Sequence, residues 1–423
     1  MANAGDGSGA RAERFAAYMN SIAEVLGDPR RRGPMTSYCT GLLMPADRKS
    51  VEPMAALTAP ERTAAQHQSL LHFVGKGEWS DADVLAKVRE HVVPAITTHG
   101  AISAWIVDDT GFPKKGTHSV GVARQYCGQL GKQDNCQVAV SLSIANEHAS
   151  LPVAYALYLP ESWADDRERR AKAGVPSNVT FKTKPQIALQ QIEWAVGASV
   201  PRGVCVADAG YGVDGAFRNR LTGLGLHYVV GVRSPNAVWT SITAGRTEID
   251  MRMSVEDLAL ALGDDAWRTI SWREGTNEKL AGRFARVRVR VESDEEWLLI
   301  EWPEDERKPT KYWLSTLREN ISFAHLVRTA KLRWRIERDY LELKQEIGLG
   351  HFEGRGWRGF HHHATLCIAA YGFLISERAA FPPSKAIAAG IFQAPRLPED
   401  HTPRGAPRSD SAPCARLNRN LAV

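Results

Sequence analysis

From Ala10 to about His99, apolar residues recur three and four apart, as in RAERFAAYMNSIAEVL and SDADVLAKVREHVVPAI. That spacing predicts amphipathic helices. Residues 1–10 are small and polar and are expected to be disordered. Between the helices, DPRRRGPMTSYCTGLLMPADRKSVEPM carries Arg30, Arg31, Arg32, Arg48 and Lys49 in a loop-like context. Residues 1–100 therefore read as a helical N-terminal domain with a basic surface.

At Ala101 the period changes. AISAWIV is a strand, and CQVAVSLSIAN and SLPVAYALYLP are two more, joined through Glu147 and His148 as a hairpin. KPQIALQQIEWAVGA predicts a helix, RGVCVADAGYG a strand running into a glycine turn, VDGAFRNRLTGLGL a helix and HYVVGVR a strand. The order β-β-β-α-β-α-β describes a mixed sheet with helices packed on it. Residues 234–310 break the rhythm: FARVRVRVESDEEWLLIEW alternates with period two, and the segment is rich in tryptophan. It reads as a β-rich insertion. KYWLSTL resumes the sheet, a long helical stretch runs from about Phe323 to Ile347, and HHHATLCIAAYGFLI is a buried helix. The divisions are thus 1–100, then 101–233 with 311–380, interrupted by 234–310. The tail, residues 381–423, is dense in proline and small polar residues and is expected to be disordered.

Composition narrows the class. The chain has 423 residues, 43% hydrophobic and 24% charged, which suits a soluble protein of two or three domains. No apolar run reaches the roughly 18 residues of a membrane helix. The start, MANAGDGSGARAERF, lacks the apolar core of a signal peptide, so a cytoplasmic location is expected. Six scattered cysteines form no CxxC pair, which argues against structural zinc and a disulfide framework. A net charge of +5 is compatible with a polyanionic partner without requiring one.

Three acids stand out. Asp108 and Asp109 end the first strand, in WIVDDTGFPKKG, and Asp208 ends a later one, in VCVADAGYG. Strand ends are where open sheets hold polar groups rigidly. The glycines after Asp208 allow a tight turn and close backbone approach. The third acid is Glu337, in KLRWRIERDYLELKQEIGL. On a helix at about 100° per residue it lies about 40° from Arg333, with Lys344 at about 20°. Leu332, Ile336, Tyr340, Leu343 and Ile347 form the adjoining apolar arc. Three such carboxylates suit hard divalent cations, and two cations can promote displacement at phosphorus. Lys114, Lys115, Arg333 and Lys344 would then grip phosphates. The bland readings compete: a strand-end Asp is commonly a turn residue, and Glu between Arg and Lys a solvated ion-pair stripe. RVRVRV reads as the wet face of a strand, the tryptophans of the insertion as mostly core. His361, His362 and His363 are consecutive on a helix, do not converge on one ion, and read as structural or phosphate-contacting.

Taken together, the stretches around Asp108, Asp208 and Glu337 resemble the DDE-type transposases of bacterial insertion sequences. DDTGFPKKG is similar to the family's first-aspartate motif, VADAGYG to its second, and RWRIERDYLELK to its Tyr, Arg, Glu and Lys helix. In that helix Glu follows Arg by four and precedes Lys by seven, as Glu337 does with Arg333 and Lys344. RKSVEPMA and WRGFHHHATL are similar to flanking segments of one branch. The resemblance spans roughly residues 11–375. One departure stands: the signature Tyr falls at position 330, which is Ala330 here. Between Asp108 and Asp109, the family pattern favours Asp108, with Asp109 capping the turn.

The resemblance implies an α/β ribonuclease H-like mixed sheet flanked by helices, with the helical N-terminal domain and the β-rich insertion. It implies a transposase in which Asp108, Asp208 and Glu337 hold two Mg²⁺ ions, with Mn²⁺ able to substitute. It further implies end cleavage, 3′-hydroxyl strand transfer and cut-and-paste movement by a homodimer on double-stranded DNA, with terminal inverted repeats and target DNA as partners. A bacterial, nucleoid-associated place in the cytoplasm follows, with no membrane. The N-terminal domain, with Arg30, Arg31, Arg48 and Lys49, would recognise the ends. If a flipped base is stacked, Trp267, Trp272, Trp297 and Trp302 are the candidates. Two other classes remain: a catalytically silent, transposase-derived DNA-binding protein, and a metal-dependent phosphohydrolase acting on small substrates.

Overall fold

The computed structural model describes residues 6–244, 247–274 and 279–382; the expected tail, beyond Pro382, lies outside the described residues. Five helices open the chain: α1 (Asp6–Ala23), α2 (Arg32–Leu43), α3 (Val51–Thr58), α4 (Thr63–Gly75) and α5 (Asp81–Thr97). Helix α1 already begins within the ten residues expected to be disordered, and Arg14 anchors it by a two-pronged ion pair to Glu377, with both N–O distances 2.7 Å. The arginine stretch expected to be a loop is helical. Asp28 caps it by accepting from the Arg30 N–H at 2.9 Å, and Pro29 starts the turn that leads into α2. Ser80 caps α5, whose Val84, Val88, Val92 and Ile96 form a fully buried stripe.

The region of the mixed sheet follows as β1 (Ala104–Pro113), β2 (Ala123–Cys127), β3 (Lys132–Ala145) and β4 (Ser150–Leu157), then α6 (Glu161–Ala164), α7 (Arg167–Ala173) and α8 (Lys184–Gly197). β5 (Val204–Ala207), α9 (Ala209–Gly212), α10 (Gly215–Gly223) and β6 (Tyr228–Val232) complete its first part. β3 lies antiparallel between β4 and β1, while β5 joins β1 and β6 joins β5 in parallel. The spatial order β4-β3-β1-β5-β6 is the ribonuclease H-like arrangement. The short strand β2, not foreseen from the sequence, pairs with the start of β3; its alternate exposed positions left no apolar run to detect.

The insertion contributes β7 (Ala237–Ala244), β8 (Thr247–Ser254), α11 (Val255–Ala261), β9 (Arg268–Glu274), β10 (Lys279–Val291) and β11 (Asp294–Glu301). β12 (Lys311–Ser315) pairs antiparallel with both β6 and β11, so the insertion extends the same sheet rather than forming a second one. The described residues up to Phe381 form one compact unit.

The long helix expected from Phe323 is two: α12 (Phe323–Lys331) and α13 (Trp334–Gln345). Their apolar faces serve different cores. Val327 and Ala330 pack with Phe284, Leu299 and Trp313, whereas Ile336 and Tyr340 pack with Ala104, Ile106 and Val206. The chain must turn between them, and it does so at Leu332 and Arg333. Helix α14 (Trp357–Ala380) is buried along most of its length.

Candidate active site

Side chains alternate across a strand. Ala104 and Ile106 of β1 face α13, while Trp105 and Val107 enter the main core. Asp108 therefore emerges on the α13 face and Asp109 on the other. The parallel ladder of β1 and β5 pairs Ile106 with Val206 and ends at Val107 with Ala207. The next residue on each is an aspartate, so Asp108 and Asp208 stand side by side where β5 ends. β1, expected to end at the aspartates, runs on to Pro113 against β3, so Asp108 and Asp109 lie within the strand, and Asp109 pairs with Val140 rather than capping a turn. Asp208 also caps the single turn α9, its Oδ1 accepting from the Gly210 N–H at 2.8 Å. Gly212 lets that turn press on β6: a Cβ there would lie 2.0 Å from the Gly231 carbonyl oxygen.

Arg333, at the turn between α12 and α13, ties the site together. Its Nη1 donates to Asp108 Oδ2 at 2.7 Å and its Nη2 to Glu337 Oε1 at 2.7 Å. Burial works against the guanidinium charge, but Asp108, Glu337 and Asp208 outweigh it and hold its pKa above the ordinary value. Asp108 is buried, and burial pushes its carboxyl up to about 7, with Arg333 opposing and Asp208 and Asp109 adding to the rise. The Tyr340 hydroxyl donates to the Asp108 carbonyl at 3.3 Å and shares a 2.7 Å bond with the Ser141 hydroxyl, fixing α13 to the strand that carries Asp108. Asp109, by contrast, is held by Lys184 at 3.0 Å and by the Tyr211 hydroxyl at 3.4 Å. Neither Tyr340, read as part of an apolar arc, nor Lys184 carried a local signal in the sequence.

The donor set is all oxygen, and two of its members already converge on one cation, so in chemistry it suits a hard divalent ion. Among the described residues, however, no three acids, histidines or cysteines close on a common point as a ready metal cage. Here the guanidinium of Arg333 fills the space between Asp108 and Glu337. A cavity of ≈ 730 Å³ opens beside the acids, lined by Asp208, Arg333 and Glu337 and also by Trp313, Lys331 and Trp334. Trp267, Trp272, Trp297 and Trp302 are not among the residues lining it. Trp297 is buried in the extended sheet, Trp267 is buried just before β9 and packs edge-on to Trp302, and Trp272 lies under the Lys331 ammonium.

The other expected cations divide. Lys115 is exposed. Arg30 and Arg48 are exposed and ion-paired with Asp28 and Glu353. Arg31 is half-buried and donates to the carbonyls of Leu26 and Glu78 at 2.6 and 2.7 Å. Lys344 donates to the Gly111 carbonyl at 2.7 Å, and burial pushes its pKa down to about 8. Two need correction as surface contacts. Lys49 is buried, its ammonium on the carbonyls of Leu42 and Glu346, because the chain enters α3 beneath the end of α13. Lys114 is half-buried and donates to the Phe352 carbonyl at 2.9 Å. The three histidines are structural. His361 accepts from the Leu157 N–H, His362 lies between the carbonyls of Val74 and Trp79, and His363 joins Tyr38 to the Gly348 carbonyl.

Comparison with known proteins gives a consistent family. The chain matches the family described as DDE superfamily endonuclease over residues 22–279, which include Asp108 and Asp208. It matches the family described as transposase DDE domain over residues 187–373, which include Asp208 and Glu337. It is 30% identical over 199 residues to a protein of Microchaete diplosiphon named as a probable transposase for insertion sequence element IS701. That match covers 47% of this chain and spans about half, 48%, of the relative's own length. Among solved structures, a piggyBac transposase synaptic complex with hairpin DNA is similar at a TM-score of 0.36 and 10% identity, covering 86% of this chain and 75% of that one.

Proposed function

Since the chain belongs to the DDE superfamily of endonucleases, with a transposase DDE domain, we propose that it is a DNA transposase that cleaves the ends of its own insertion sequence and joins them to target DNA. The observation that supports this most is the placement of Asp108 beside Asp208 on adjacent parallel strands, with Glu337 brought to Asp108 through a shared arginine.

Asp108, Asp208 and Glu337 would hold two Mg²⁺ ions, or Mn²⁺, which would supply activation of the attacking oxygen and stabilisation of charge at phosphorus. The chain itself supplies the frame. The sheet fixes the two aspartates, and Tyr340 locks α13 against β1 so that Glu337 keeps its place. Arg333 and Lys115 would bind phosphates on either side of the scissile bond, Arg333 with two parallel donors. Lys344, tied to the Gly111 carbonyl, would shape the strand tip and lend charge from a greater distance. In the first step the oxygen of water bonds to phosphorus, and the 3′ oxygen leaves and takes a proton. In the second, the freed 3′-hydroxyl bonds to a target phosphorus and displaces the target's own 3′ oxygen. Both are displacements at phosphorus and need one kind of site. The helical region, with Arg30 and Arg48 on its surface, would recognise the ends, and a homodimer would bring two ends together for cut-and-paste movement. Among the described residues no helix is long and apolar enough to cross a membrane.

The test uses the purified protein, duplexes carrying the ends that flank its gene, and Mg²⁺ or Mn²⁺. Cleavage at the ends is expected, with a loss of about a thousandfold or more in Asp108→Ala, Asp208→Ala and Glu337→Ala. Asp109→Ala should keep cleavage within about tenfold, since its partner is Lys184 rather than the site. Binding without cleavage under every metal condition would instead establish a silent DNA-binding protein. Hydrolysis of a small phosphomonoester with none of DNA would overturn the proposal.

A further inference from the structure

Arg333 is placed for more than holding phosphate. It touches Asp108 and Glu337 at once, at 2.7 Å each, and feels the charge of Asp208. Its backbone sits at the turn between α12 and α13, so the root of the side chain is fixed beside the acids. The planar fork gives each carboxylate its own rigidly placed nitrogen, Nη1 for Asp108 and Nη2 for Glu337, where a lysine would offer a single one. By contrast, the Asp109 side chain is paired with a separate cation, Lys184, at 3.0 Å.

We propose that Arg333 is the resident counter-ion of the acid trio in the DNA-free protein, and that a DNA phosphate draws it away so that divalent cations can enter. The inference rests on reading the trio as a divalent-cation site. A guanidinium and a divalent ion cannot share the space between Asp108 and Glu337, because like charges a few ångströms apart in a partly buried site repel strongly. For the metal to bind, the guanidinium must leave two charge-assisted hydrogen bonds. Without DNA it has only water to turn to. With DNA, a phosphate offers two oxygens to the same fork. Each ligand therefore makes room for the other, and the coupling is reciprocal: DNA raises metal affinity by the factor by which metal raises DNA affinity. The arrangement would keep the site free of loaded metal until a strand lies in it.

The test is binding of Mn²⁺ alone, followed by the electron paramagnetic resonance signal of free Mn²⁺, on the full chain with and without a duplex of its end sequence. Asp108→Asn on the same duplex corrects for Mn²⁺ held by the DNA. Wild type should bind Mn²⁺ weakly without DNA and about tenfold or more tightly with it. Arg333→Gln should bind Mn²⁺ about tenfold more tightly than wild type without DNA, and DNA should then add little. If Arg333→Gln binds no more tightly than wild type while Asp108→Asn abolishes binding, the counter-ion role is wrong and the metal site stands. The counter-ion role is equally overturned, independently of how the variant folds, if wild type binds Mn²⁺ equally well with and without DNA. If no form binds Mn²⁺ beyond the Asp108→Asn background, the metal reading itself falls, and this inference with it.

Discussion

Lys49 and Lys115 belong to similar basic stretches and meet opposite surroundings. The Lys49 ammonium is buried on two backbone carbonyls, and burial lowers its pKa. Its removal strands those carbonyls away from water. Lys49→Met is therefore expected to destabilise the fold by about 1–3 kcal/mol, the range for an unsatisfied buried polar group. The salt dependence of DNA binding should not change in that variant. Lys115→Ala should do the reverse, leaving the melting temperature unchanged and lowering the salt slope of DNA binding by about one counter-ion. Thermal unfolding and binding titrations across ionic strength separate the two, and a reduced salt slope in the Lys49 variant would contradict the assignment. The same contrast separates Asp108 from Asp109. Adjacent residues of a strand point to opposite faces, and the side chains packed on each face then decide their chemistry.

At the level of elements, the site depends on two contacts. The first is the turn after β5, where Gly212 lies against the Gly231 carbonyl. Gly212→Ala would push α9 from β6 and displace Asp208. A loss of more than about 4 kcal/mol is expected, visible as a drop in melting temperature or as insoluble protein; a variant of wild-type stability would show that this packing is not needed. The second is the Tyr340 hydroxyl between Ser141 and the Asp108 carbonyl. Tyr340→Phe should cost about 1 kcal/mol in urea unfolding, because it removes hydrogen bonds without opening a cavity. The break between α12 and α13 is equally local and was hidden in the sequence. TAKLRWRIE contains no glycine or proline. The break arises because the two helices bury their faces against different parts of the sheet.

Across the whole molecule, the helical N-terminal region is fastened to the sheet region through α14 and the end of α13. His363 accepts from the Tyr38 hydroxyl of α2 and donates to the Gly348 carbonyl, which requires a neutral ring. Burial pushes its pKa down to about 4, and does the same for His362, which is stacked on Trp79. A neutral His362 can donate to only one of the two carbonyls that face it. The unfolded chain protonates these rings near pH 6.5. Between about pH 6.5 and 4 it therefore binds more protons than the folded chain. Stability from these histidines is complete above that window and is lost as pH falls through it, by up to roughly 3 kcal/mol for each ring. Buried carboxyls act in the opposite direction, Asp108 and Glu296 below about 7 and Asp339 below about 6, so the net curve mixes the two effects. A comparison isolates the histidine: unfolding free energy across pH 4–7 should fall less steeply in His363→Gln than in wild type. Parallel curves would show that His363 titrates in the folded protein as it does in the unfolded chain.

Much of this protein was determined locally. Apolar periodicity specified most strands and helices of the central sheet, and acids closing an apolar run marked Asp108 and Asp208, although β1 continues beyond Asp108 to Pro113. The spacing of Arg333, Glu337 and Lys344 placed those three on one stripe, and the motifs together pointed to the family. These features depend on neighbours within a few residues, so they are written in sequence. The tertiary structure decided the rest. It set the register that aligns the two aspartates, the continuity of the insertion with the central sheet, the burial of Lys49 and the tryptophans beside the acids. It also placed Arg333 between two carboxylates, one of them 225 positions away in the chain. Such facts depend on which surfaces meet when the chain closes on itself, and no local period or motif records them.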